Sequence, residues 1–197
     1  MASETDLLND SLSQIGALPI TAIDDGSVAA NHCQRLFPAL RDSLLRSHHW
    51  NFATRRAVLA AEATAPLFEF TYAYPLPADF LKIVEFNGDS SVTSLAGRYT
   101  IEGGDGYRKL LTNDSTVQIV YLARVTNPDQ WDPIFYQVLA TWLASKLALA
   151  IPKDASTSKA LLETAVGVLL PLAMAVDGQE GTVRPFVSDI LLRVRNA

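Results

Sequence analysis

Apolar positions recur at helical spacing over the first quarter of the chain. Leu7, Leu8, Leu12 and Ile15 form one stripe. Ser3 and Asp6 open it as a capping box with Asp in place of Glu, and Gly16 can close it. An extended link follows over 19–23, and Asp24, Asp25 and Ser27 supply caps for a second helix. That helix places Ala29, Cys33, Leu36, Leu40 and Leu44 on one face. Pro38 interrupts it, so a kink or break is expected near Phe37, because an interior proline costs about 3 kcal/mol.

The period then changes from 3.6 to 2. Phe68, Phe70, Tyr72 and Tyr74 alternate with Leu67, Glu69, Thr71 and Ala73, the pattern of a strand with one aromatic face. Pro75 and Pro77 enforce a corner after it, since each removes a ladder donor. A short strand is expected over 82–86, closed by the turn residues Asn87, Gly88 and Asp89. Stretches 98–102 and 107–112 flank Gly103, Gly104, Asp105 and Gly106 as a hairpin, and 116–124 alternates again with Val117, Ile119 and Tyr121 on one side.

Helical patterns return after Trp131. Asp132 and Pro133 suit N-cap and first helical residue, and this helix should run to about Ile151, where Pro152 stops it. Ser156 can cap a last helix through Val176, kinked at Pro171. Helices, then strands, then helices, without alternating strand–helix repeats, give an α+β chain. The expected architecture is a helical bundle built from both chain ends (1–62 and 130–180), an inserted antiparallel β lobe of four to five strands (63–129), and a C-terminal tail (181–197).

Charge and composition narrow the partners. Across 197 residues the formal net charge is −5, without a basic block. Tight nucleic-acid binding needs gathered Lys and Arg to displace counterions, so it is disfavoured. The lone Cys33 gives no intramolecular disulfide framework. The polar, acidic start lacks the order of a signal peptide. Among apolar stretches, 134–151 is the best transmembrane candidate by length, but Gln137, Lys146 and several Ser/Thr interrupt it. The expectation is a soluble, unsecreted protein without membrane contact.

Candidate chemistry is thin. The run Gly103 to Lys109 leads into a strand and lacks the Lys-Ser/Thr pair that opens a helix in a phosphate loop, so it reads as a turn. His32, Cys33, His48 and His49 lack the spacings of a zinc site, and adjacent helical residues point apart. No nucleophile elbow occurs, and Cys33 reads as a small hydrophobe within an apolar stripe. No metal, cofactor or catalytic residue is expected.

One stretch joins the two regimes. Residues 44–59 gather His48, His49, Trp50, Phe52, Arg46, Arg55 and Arg56 where the helical pattern gives way to strands. Trp50 and Phe52 suit anchoring a helical layer onto a sheet, with Arg55 and Arg56 pairing locally or across a subunit interface. Together with Pro75 and Pro77 they form the expected structural joint.

The whole pattern carries a resemblance. The run Asn9-Asp10-Ser11-Leu12-Ser13-Gln14-Ile15-Gly16 is followed by Pro19-Ile20-Thr21-Ala22-Ile23-Asp24-Asp25-Gly26-Ser27. Then come Trp50-Asn51-Phe52-Ala53-Thr54-Arg55-Arg56, Tyr74-Pro75-Leu76-Pro77-Ala78-Asp79, Tyr121-Leu122-Ala123-Arg124-Val125-Thr126 and Trp131-Asp132-Pro133. In this order they resemble the tail tubular protein A family, the head-to-tail adaptors of short-tailed bacteriophages. The resemblance weakens over 88–106 and after Gly181. It implies a non-enzymatic structural protein of the virion, assembled in the host cytoplasm. Such a protein forms a homo-oligomeric ring of roughly twelve copies. The ring lies between the portal and a downstream tail or nozzle protein, and genomic DNA passes through its lumen without sequence-specific binding. The acidic balance suits such a conduit. The apolar and basic tail, with Ile190, Leu191, Arg193 and Arg195, is the candidate portal-docking segment. The rival readings are another head-completion or tail-tube protein of different symmetry, or a hydrolytic domain carried on the virion.

Overall fold

The computed structural model describes residues 3–90, 95–104 and 106–180. The chain is α+β. The helices are α1 (Glu4–Ser13), α2 (Val28–Ser47), α3 (Pro133–Ala150), α4 (Ala155–Glu163) and α5 (Leu170–Glu180). The strands are β1 (Thr54–Leu59), β2 (Tyr72–Pro75), β3 (Phe80–Phe86), β4 (Tyr99–Gly104), β5 (Tyr107–Thr112) and β6 (Val117–Ala123). They form two antiparallel three-stranded sheets, ordered β1-β6-β3 and β2-β5-β4. The expected four to five strands are thus six among the described residues, divided between two sheets.

Local signals placed the helix ends. Ser3 and Asp6 complete the capping box, and the α1 exit is a Schellman motif: Ala17 N donates to Leu12 O (3.0 Å) and Gly16 N to Ser13 O (3.1 Å), with Gly16 at φ 67°. Ser27 caps α2, and Asp132 with Pro133 opens α3. Helix α2 runs through Pro38 without the expected break. The last helix is capped by Asp154, not Ser156, and its irregularity lies ahead of Pro171, not at it. Residues Thr164–Leu169 are π-helical. Pro171 has no N–H for an i−4 carbonyl and its ring crowds that carbonyl, and a widened turn just before it relieves both.

Two strand expectations need correction. The stretch 67–71 is a loop, and only Tyr72–Pro75 pairs, because its partner β5 ends at Thr112. Past that point Asn113 Oδ1 accepts from both the Thr71 N–H and the Thr71 hydroxyl, at 2.9 Å each, which closes the ladder. Strand β1 was not anticipated. It pairs with β6 from Thr54↔Leu122 to Leu59↔Val117, so this sheet takes a strand from ahead of residue 63.

Two apolar clusters fill the interior. On β6, Leu122 joins a cluster with α1, α2, α3 and Trp50, while Val117, Ile119 and Tyr121 join one with Tyr74, Phe80, Phe86 and Leu110. Period-two alternation thus turns one face of β6 to the helices and the other to the second sheet. Helix α3, packed on by α1, α2, α4 and α5, is buried along most of its length. It is a core helix. Among the described residues the helix long and apolar enough to cross a membrane is instead Ala155–Glu180, the continuous rod of α4, the π turn and α5.

Candidate functional site

The joint forms from sequence-adjacent aromatics because the chain stops being helical there. Helix α2 ends at Ser47, Asn51–Ala53 makes one 3-10 turn, and β1 begins at Thr54. This reversal turns Trp50 into the core with no solvent exposure. Its Nε1 donates to the Leu44 carbonyl at 3.0 Å, satisfying the polar edge of a buried indole. Phe135 stands edge-on to Trp50 at 5.1 Å and to Phe52 at 5.0 Å, and Trp131 extends the cluster. Trp50 and Phe52 therefore anchor β1 to α3.

The two Arg of the joint part company. Arg55 donates to Asp79 Oδ2 at 2.7 Å, and the Tyr121 hydroxyl donates to Asp79 Oδ1 at 3.1 Å. Asp79 ends the corner that Pro75 and Pro77 create, and the Pro77 carbonyl accepts from Phe80 N at 3.0 Å. The joint and the proline corner are thus brought together through one carboxylate. Pro75 closes β2 opposite Lys109. Arg56 is exposed and makes no ion pair among the described residues. Residues Ile190, Leu191, Arg193 and Arg195 lie outside the described residues.

Several holding residues were not singled out from sequence. Asp177 on α5 is 3 % exposed. It accepts from Asn51 N at 2.8 Å, its carbonyl accepts from Asn51 Nδ2 at 2.6 Å, and its Oδ2 lies 3.3 Å from His48 Nε2. His48 therefore serves this clamp across 129 positions. Asn9 pins the link by accepting from Ile20 N (2.8 Å) and donating to Ile20 O (3.0 Å). Tyr136 donates to Asp10 at 2.6 Å, and burial with that carboxylate pushes the phenol far above its ordinary range. Asp25 accepts from the Thr21 and Ser27 amides, and hydrogen bonding from Ser27, side chain and amide, followed by that from Thr21, holds its carboxyl down at about 2. Most of these residues lie inside the motifs quoted above. Their task is to hold the fold.

Reactive chemistry is not assembled by these positions. Cys33 is buried and its thiol pushed up to about 11 by that burial, which removes thiolate character. Arg35 donates to His32 Nδ1 at 3.0 Å on the exposed side of α2. Burial, with Lys82 and His48 nearby, holds His49 below the ordinary imidazole range. Among the described residues no group of three His, Cys, Asp or Glu could hold a metal ion. The clefts are open ones; that under the 64–70 loop, of about 430 Å³, has Glu62 bound by the Tyr107 hydroxyl (2.6 Å) and Lys109 (3.1 Å).

What the surface does show is uncovered apolar area. Along Ala155–Glu180 only 17 % of the most apolar window is buried. Ala165, Ala173 and Asp177 are buried, while Val166, Val168, Pro171 and Leu172 face outward, Val168 at 62 % exposure. A scan of this chain against protein-family models gives no match, and a search of curated proteins gives none either.

Proposed function

We propose that this chain is a structural assembly subunit: a head-to-tail adaptor that forms a ring beneath a phage portal and continues the DNA channel. The observation that carries the reading is the apolar rod Ala155–Glu180, which one copy leaves mostly uncovered. Between Thr164 and Val176 it has no charged side chain. Monomeric proteins rarely expose apolar patches of this extent, and such patches mark contact surfaces. In this reading α1 and α2 from one end, with α3 to α5 from the other, make a bundle whose outer face meets neighbours. The sheets form a lobe inserted between them. Neighbour contacts in a ring are heterologous, so two different patches of each subunit must match. The tail with Ile190, Leu191, Arg193 and Arg195 docks on the portal.

Native mass spectrometry with electron microscopy of the full chain, alone and with its cognate portal, tests this. A closed ring supports it; a monomer indifferent to the portal contradicts it. Deleting residues 185–197 should abolish portal capture in a pull-down while leaving the melting temperature unchanged, and persistent capture would refute the tail assignment.

A second reading has an observation of its own. A rod of 26 residues, apolar along its middle, has the length of a membrane span. Against it stands Asp177, buried in that same rod and bound to Asn51 and His48. Flotation with liposomes separates the two: recovery of the chain in the floating fraction supports insertion.

A further inference from the structure

We infer that the loop tip Leu67-Phe68-Glu69 of one copy inserts into the cleft between β3 and the start of β4 of a second copy. This rests on the proposed self-association and names one of the two patches that it requires.

The tip is the most exposed apolar feature described: Leu67 is 97 % and Phe68 78 % accessible. It is not a frayed coil. Phe70 N donates to Phe68 O at 2.8 Å across a single residue, Glu69, whose φ is 70°. That is a γ-turn of the uncommon positive-φ kind, adopted here by a residue with a side chain. The root of the loop is fastened as well, by Glu62 N donating to Ala73 O at 2.8 Å and by the Glu62 carboxylate bound to Tyr107 and Lys109. Loop closure thus holds two large apolar side chains out in water, a costly placement that a contact would offset. Glu69 is exposed and makes no ion pair among the described residues.

The cleft has the matching character. It is lined by Ile83, Val84, Leu95 and Tyr99, with Lys82 and His49 at its rim, and holds about 630 Å³. Strand β3 is an edge strand, so this side of its sheet is open. Lys82 is exposed and, like Glu69, makes no ion pair among the described residues. A convex apolar tip bearing an unpaired carboxylate and a concave apolar cleft bearing an unpaired ammonium are complementary in shape and sign. Both belong to one chain, and within that chain the tip remains exposed. Burial of Leu67 and Phe68 would supply affinity, and Glu69 with Lys82 would set the register.

Charge reversal in the full-length protein tests this. Glu69→Lys and Lys82→Glu should each weaken self-association at least tenfold, read by analytical ultracentrifugation, and the double variant should regain most of it. All three lie on exposed side chains, so melting temperatures should match the parent. A second measurement uses Phe68→Cys with Val84→Cys: mild oxidation should yield a ladder of covalent multimers, which neither single variant gives. Rings that form normally while the double reversal rescues nothing and no ladder appears would overturn this contact and leave the adaptor reading standing. A parent protein that stays monomeric with and without portal would overturn both.

Discussion

Helix α3 and the rod Ala155–Glu180 are two apolar helical segments that lie side by side and meet opposite fates. In α3, Phe135, Val138, Leu139, Leu143 and Leu147 are fully buried, because α1, α2, α4 and α5 surround it. The rod buries only a narrow seam, of which Ser158, Ala165, Ala173 and Asp177 are the buried members, and turns Val166, Val168 and Leu172 to solvent. Composition separates them little, since both are rich in Ala and Leu. Neighbours separate them. An apolar helix with neighbours on most sides is core, and one with neighbours on a single side leaves its outer face uncovered among the described residues.

Substitutions on the two helices should therefore diverge. The largest effect belongs to Trp50→Ala, which empties the aromatic socket against α3 and should lower stability by about 3–5 kcal/mol in chemical denaturation. A near-unchanged midpoint would mean that Trp50 acts at an interface. Leu139→Ala within α3 should cost about 2–5 kcal/mol by the same transfer and cavity terms. Asp177→Ala should cost about 1–3 kcal/mol, because it removes the acceptor of the Asn51 backbone N–H and the partner of His48. It would also loosen the rod from the joint, detectable as faster amide exchange over 170–180. Val168→Ser on the outer face should stay within about 0.5 kcal/mol of the parent. If Val168→Ser proved as costly as Leu139→Ala, the contrast between the helices would fall.

A smaller, pH-linked effect concerns the entry to α2. The Asp25 carboxyl is lowered to about 2 by the Ser27 and Thr21 hydrogen bonds. A depressed carboxylate contributes stability above its unfolded value near 4, and that contribution is lost as pH falls through about 2. Exchange protection of the Thr21 and Ser27 amides should decline over that window, while Asp25→Asn should remove the dependence.

The sequence was most legible where structure is local. The capping box at Ser3 and Asp6, the Gly16 exit, the Asp132–Pro133 start and the 103–106 hairpin each depend on residues within a few positions of one another. What it hid depends on distant partners. Thr54–Leu59 carries two Arg and little alternation, and it becomes a strand because β6 is beside it. The π turn at Thr164–Leu169 answers Pro171 through backbone geometry that hydropathy does not register. Asp177 belongs to no local motif, and only its reach to Asn51, 126 positions away, reveals the clamp. The aromatic alternation at 68–74 misled because alternation supplies a face but not a partner strand. Trp50 and Phe52 pack on Phe135, and Arg55 reaches Asp79 beyond the proline corner. The apolar surface of the rod left no motif at all.

The central claim is that protein neighbours cover the outer face of Ala155–Glu180. The direct measurement is hydrogen exchange and native mass of the full chain before and after it is mixed with its portal, in parallel with a Val168→Asp variant. The account predicts a closed ring of the parent, retarded exchange over 162–176, and a Val168→Asp protein that is folded yet fails to assemble. A Val168→Asp protein that forms the same ring as the parent would contradict it.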